Sequence, residues 1–177
     1  MTHAIKEPNA PATYKQTRAL FFLTKQDWRD KGLTRQEASD LIDKYQNEKQ
    51  SKGDEHAELF ARAWQAGVDA ANACTPVPMT VVQHANPLDD DSPIVKSYGP
   101  IADGVCGFAW VSVPGNTGFG RWLKKEGKGR KGYPSGIQVW IGAYGQSYER
   151  KIAHARAMAA VLRGAGIEQA YGTGRLD

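Results

Sequence analysis

The spacing of apolar residues first changes near Pro76. Helical periods precede it and two-residue alternation follows it. Residues 1–12, with Pro8, Asn9 and Pro11, show no period and are expected to form a flexible leader. From Thr13 onward, Thr17, Leu20, Phe21, Thr24 and Trp28 recur at helical spacing, and Gly32 offers a stop. Thr34 followed by Glu37 is a capping box that starts a second helix. The hydroxyl serves one open amide and the carboxylate reaches back to another. Ala38, Leu41, Ile42 and Tyr45 form the stripe of that helix, and residues 13–52 read as a helical hairpin module. The uniformly polar residues 46–55 are expected as a mobile connection. A third helix spans residues 54–73, with Leu59, Phe60, Ala63, Trp64, Val68 and Ala71 on one face. Pro76 and Pro78 end it.

Strands follow. Residues 79–83 and 94–98 are β-branched and flank a loop that contains Asp89, Asp90 and Asp91. Residues 104–113 make a more apolar, central strand. Pro114–Thr117 is a turn into a short helix with Phe119, Trp122 and Leu123 on one side. Residues 137–144 alternate as a further strand. Ser147 caps a last helix with Tyr148, Ile152, Ala155, Ala159 and Leu162 as its stripe, closed by Gly164 and Gly166. Residues 169–172 return to the sheet. The expected fold is α+β. A helical N-terminal part precedes a four- to five-stranded antiparallel or mixed sheet with one long C-terminal helix, in a domain over residues 53–177.

Charge is uneven along the 177 residues. Residues 103–177 carry 11 Lys and Arg against 5 Asp and Glu, whereas residues 1–102 carry 12 against 14. Six of those cations fall in the Gly-punctuated run Gly120–Tyr133, beside aromatic residues. Such a patch points to an anionic partner. Arg121, Lys124, Lys125, Lys128, Arg130 and Lys131 suit phosphates, where counterion release needs no fixed geometry. Trp122, Tyr133 and Trp140 are placed to stack on bases. Lys151 and Arg156, on the last helix, would extend the basic rim. The competing reading makes this run a solvated loop with Trp122 and Trp140 in the core.

Other chemistry is thin. Gly115–Gly120 meets neither the phosphate-loop nor the dinucleotide pattern. Asp89–Asp91 are adjacent, so all three cannot converge on one ion. The four histidines have no partners at zinc spacing. On a helical wheel His154 falls opposite the apolar stripe and is expected on the surface, and His84, at a strand end, is the one acid–base candidate. Cys74 and Cys106 sit in apolar surroundings and read as reduced, buried thiols. No hydrolase or metalloprotease motif is present, and no cofactor is expected. No apolar run approaches the ~20 residues that span a bilayer. The N-terminus has no signal-peptide pattern, so a cytoplasmic protein without a membrane partner is expected.

Thr75–Val81 (Thr-Pro-Val-Pro-Met-Thr-Val), Gly104–Val111 (Gly-Val-Cys-Gly-Phe-Ala-Trp-Val), Gln146–Lys151 (Gln-Ser-Tyr-Glu-Arg-Lys) and the closing Ala170-Tyr171 and Arg175–Asp177 occur together. In these segments residues 57–177 resemble a group of small proteins encoded by bacteriophages and other mobile elements. The segment Gln16–Ile42, with Leu33-Thr34-Arg35-Gln36-Glu37, resembles a short helical module appended to many of them. The resemblance implies expression inside an infected bacterial cell and carries over no catalytic residue. Three functions stay open. One is a non-enzymatic nucleic-acid-binding protein using the basic-aromatic loop. Another is an anti-defence inhibitor or adaptor that meets an acidic host protein. The third is a small enzyme on a phosphorylated or nucleic-acid substrate, with His84, Cys106 or Asp89–Asp91 at its site.

Overall fold

A stretch dominated by Gln, Glu and Lys and free of proline tolerates a helix, even with Gly53 within it at a cost of about 1 kcal/mol. In the computed structural model, which describes residues 5–177, the helix runs unbroken through residues 46–55. α1 (Tyr14–Thr24) is followed by the 39-residue α2 (Arg35–Ala73). The expected mobile connection and third helix are therefore parts of α2. Within the polar stretch Gln50 Nε2 donates to Asp54 Oδ1 at 3.0 Å, a pair one helical turn apart that supports the helix locally. The chain divides into two compact units, Met1–Glu55 and His56–Asp177, and α2 contributes to both.

In the first unit Leu20 and Ala38 are fully buried. Gln16 Nε2 donates to the Arg35 carbonyl and the Ser39 hydroxyl, both at 2.9 Å, tying α1 to the start of α2. Both arms of the Thr34–Glu37 box form, and the Thr34 N–H and hydroxyl, both donating to Glu37 Oε2, hold the carboxyl below its ordinary range. α1 stops at Thr24, short of Trp28, because Lys25 takes a left-handed conformation (φ 63°) that closes the helix on Phe21 O. The Trp28 indole N–H then donates to Thr24 Oγ1 at 2.8 Å. Of the expected leader, residues 1–4 lie outside the described residues. The remainder runs beside the start of α2, where Arg35 N–H donates to Ala10 O and the Arg35 guanidinium pairs with Glu7 at 2.8 Å.

Among the described residues every strand lies in the second unit, and the fold is α+β. β1 (Met79–His84) and β2 (Ile94–Ile101) pair only with each other, as a hairpin apart from the main sheet. The main sheet has four antiparallel strands in the order β4-β5-β3-β6: β3 (Gly107–Val113), β4 (Arg130–Lys131), β5 (Ile137–Trp140) and β6 (Tyr171–Leu176). α3 (Gly118–Lys125) and α4 (Tyr148–Gly164) connect them. β3 is central, as its apolar sequence implies. Its Val111 and Val113, with Val139 and Ile141, meet Ile152, Ala155, Met158, Ala159 and Leu162 in one core. Phe119 and Leu123 of α3 close it. β6 lies so near α4 that a methyl group at Gly172 would collide with the Ala155 backbone.

The other side of α4 is also covered. His154 projects from it and is fully buried, with Trp64 of α2 edge-on at 4.6 Å between ring centroids. A methyl group at Gly67 would strike the imidazole. The expected exposure of His154 is therefore corrected: the stripe opposite the sheet meets the second half of α2 instead of water. No helix among the described residues is long and apolar enough to cross a membrane.

Gly67→Ala should destabilise the protein by about 1–3 kcal/mol in urea unfolding, the usual cost of overpacking. Gly164→Ala, with no atom within 4 Å of the added methyl, should be neutral or slightly stabilising.

Candidate functional site

Side chains alternate across a strand, and residues directly opposite each other in a pair share a face. Ala109, Val111 and Val113 of β3 point into the core, so Phe108, Trp110 and Ser112 point the other way. The register carries that outer face across the sheet. Arg130, Gln138, Ser112 and Tyr171 form one row. Trp140, Trp110 and Thr173 form the next, and Phe108 faces Arg175 in the third. Within the second unit α3 and α4 pack on the opposite face.

The outer face is aromatic and cationic. Trp110 and Trp140 stack across the strand pair, with ring centroids 4.9 Å apart and planes 20° apart. The Arg130 guanidinium lies over Trp140 at 4.2 Å, and Arg175 lies over Phe108 at 5.5 Å. Both tryptophans and Phe108 are half-buried. Neither arginine forms an ion pair among the described residues, and the three rows contain no carboxylate. Gly127, Lys128, Gly129, Arg130, Gln138 and Trp140 line a shallow open depression at the β4 edge.

The structure sorts the sequence-derived site residues. Lys124, Lys125, Lys128, Arg130, Lys131 and Tyr133 are exposed on α3 and the segment that follows it. Tyr133 is 93% exposed. Lys125 pairs with Glu126 at 2.9 Å, and Arg121, also exposed, donates to Asn116 O at 2.6 Å. The Lys128 ammonium sits 4.8 Å from the Phe60 ring centre. Trp122 is half-buried and stacks on Phe119 at 5.7 Å, which makes it a packing residue of the helical side. Arg156 is exposed on α4. Lys151 is a correction: it is buried rather than exposed on a rim, its ammonium donating to Gly107 O at 2.9 Å and lying 5.6 Å from the Phe108 ring centre. Sequence reasoning missed Phe108 and Arg175, and it left Trp110, like Trp122 and Trp140, open between core and contact. The signal was the two-residue spacing of Phe108 and Trp110 within β3 and their register against β6.

The remaining chemical candidates have local partners. His84 Nδ1 lies 2.8 Å from Ser92 O at the base of the β1–β2 loop. In that loop Asp89 Oδ1 accepts from the Asp91 N–H. Cys106 and Cys74 are half-buried, less enclosed than their apolar neighbours imply. Among the described residues no group of three His, Cys, Asp or Glu side chains is placed to hold a metal ion. His154 Nδ1 is 3.0 Å from the Tyr144 hydroxyl, and its buried Nε2 has no partner among the described residues. Burial pushes the imidazole down from 6.5 to about 4 and pushes the Tyr144 phenol up.

No family model matches the chain, and no curated protein or solved structure was found to match it.

The sign of the His154 shift gives a pH prediction. Its folded pKa lies below the unfolded value, so the unfolded chain takes up the proton first. Stability should be complete above about pH 6.5 and fall by about 1.4 kcal/mol per unit towards pH 5, a window in which most carboxylates stay ionised in both states. Urea titrations at half-unit pH steps measure it, and His154→Gln should flatten the slope over that window.

Proposed function

We propose that this protein is a non-enzymatic, phage-type nucleic-acid-binding protein that works inside a bacterial cell. Its cations sit on the segment from α3 to β4 and on the outer face of the sheet. The observation that carries the reading is the Arg130–Trp140–Trp110 stack on the outer face, together with the exposed Lys124, Lys128 and Lys131 on the segment from α3 to β4. Lys and Arg side chains that neutralise phosphates release the counterions condensed on a polyanion. The cations here are exposed, close in sequence and mostly without carboxylate partners among the described residues. The excess of positive charge over residues 103–177 acts in the same sense at longer range.

A second reading, an inhibitor or adaptor that docks on a host protein, draws on the β1–β2 hairpin. A two-stranded sheet alone is marginal in water. This one exposes Val81, Val82, Ile94, Val95, Tyr98 and Ile101. Exposed apolar surface of this kind marks a protein contact more often than a nucleic-acid contact.

Fluorescence anisotropy with labelled DNA and RNA at about 50 and 150 mM salt tests the first reading. Affinity should fall steeply with salt. Changing Lys124, Lys125, Lys128, Arg130 and Lys131 together to Ser should abolish binding or flatten the salt slope by roughly 0.7–0.9 for each phosphate that is no longer neutralised. Absence of binding to every nucleic acid at the lower salt would reject the reading and direct attention to the hairpin.

A further inference from the structure

Cations alone do not distinguish one polyanion from another, and the outer face of the sheet offers more than charge. We infer that this face stacks unpaired bases, so that the ligand of the proposed nucleic-acid site is a single-stranded polynucleotide rather than a duplex. The inference rests on the nucleic-acid reading above and narrows it.

Outer-face aromatic residues stabilise a sheet by pairing across strands, and Trp110–Trp140 does so. Cross-strand pairing alone gives no reason for the neighbours to be arginines without a carboxylate in any of the three rows. Arg130 and Arg175 each lie over a ring rather than beside an acid. That arrangement places positive charge at both ends of an aromatic strip, and a phosphate backbone is its electrostatic complement.

Geometry then selects the form of the nucleic acid. Trp140 is held between Arg130 on one side and Trp110 on the other. Across the next strand pair, Trp110 faces Thr173, a small residue. Among the described residues no second ring or cation lies over Trp110. The stack is thus open towards β6, where an added flat ring would extend it, with Phe108 and Arg175 in the adjoining row. Bases in a duplex already have their faces covered by each other, whereas a single strand can turn its bases onto a side-chain platform. The Gln138 side chain accepts from the Trp140 indole N–H at 3.2 Å and orients that ring. Lys128 lines the depression at the same edge.

The test compares four probes at one salt concentration: a single-stranded DNA, the same sequence as RNA, its duplex, and inorganic polyphosphate, which has charge but no bases. Intrinsic tryptophan fluorescence of the unaltered protein should be quenched by single strands and not by polyphosphate. The single strands should bind at least tenfold tighter than the duplex, and the DNA and RNA arms identify which sugar the site prefers. Trp110→Val should weaken single-strand binding by about tenfold or more and leave polyphosphate binding unchanged. Should that variant fail to fold, Phe108→Thr and the quenching of the unaltered protein decide. Equal affinity for duplex and single strand without quenching would overturn the base-stacking inference while leaving nucleic-acid binding intact. Failure of all four probes to bind would reject both.

Discussion

The second unit depends on the close packing of α4 on both sides. Against the sheet, Gly172 removes the methyl group that would strike the Ala155 backbone. Against α2, Gly67 does the same for the His154 ring. A helix enclosed in this way satisfies its backbone internally, but any polar side chain it projects must find a partner or be neutral. Lys151 finds one in Gly107 O at the start of β3. His154 finds half of one in the Tyr144 hydroxyl and is held neutral by burial. The same layering leaves one sheet face to the helices and the other without a helix of this unit upon it. The position of the candidate site follows from the position of the core.

Two kinds of cation result. Those on β4 and at the end of β6 are fixed by strand register, which sets Arg130 and Arg175 over rings. Those on α3 and in the turn after it are held at the backbone by the helix and by Gly127 and Gly129 N–H bonds to Lys124 and Leu123, while their side chains reach into solvent. The first kind rests on rings and so offers a ligand a defined position. The second can attract one from a distance with little geometric demand. A site for a flexible polyanion uses both properties.

Much of the fold was legible where local chemistry decides structure. The Thr34–Glu37 box, the stripe of α4 and the apolar run of β3 all depend on neighbours within a few residues. Ser147 was legible as the residue before α4, yet its hydroxyl is buried without a partner among the described residues. What escaped is what distance decides. Polarity over residues 46–55 indicates that no core covers them, and it does not indicate whether they are helical; propensity and the absence of proline did that. His154 looked exposed because a helical wheel knows one apolar face, and the second cover comes from α2, about 90 positions earlier. Residues 79–83 and 94–98 looked like strands of the main sheet because periodicity names a strand without naming its partner.

The ambiguity over Trp110 and Trp140 has the same origin and shows how register resolves it. A strand with apolar residues at every position, Phe108 through Val111, reads as buried on both faces. Only the pairing of β3 with β5 and β6 shows which residues share a face. The inner set is Val, Ile and Ala against α4. The outer set joins aromatic rings to Arg130, Gln138, Thr173 and Arg175. A buried second face would have been filled by aliphatic side chains from another layer, and cations would be unpaired within it at high cost. Guanidinium groups over rings are compatible with water and with phosphate alike. It is the chemistry of the neighbours, more than the half-burial of the tryptophans, that makes this face a surface for a ligand instead of an unfinished core.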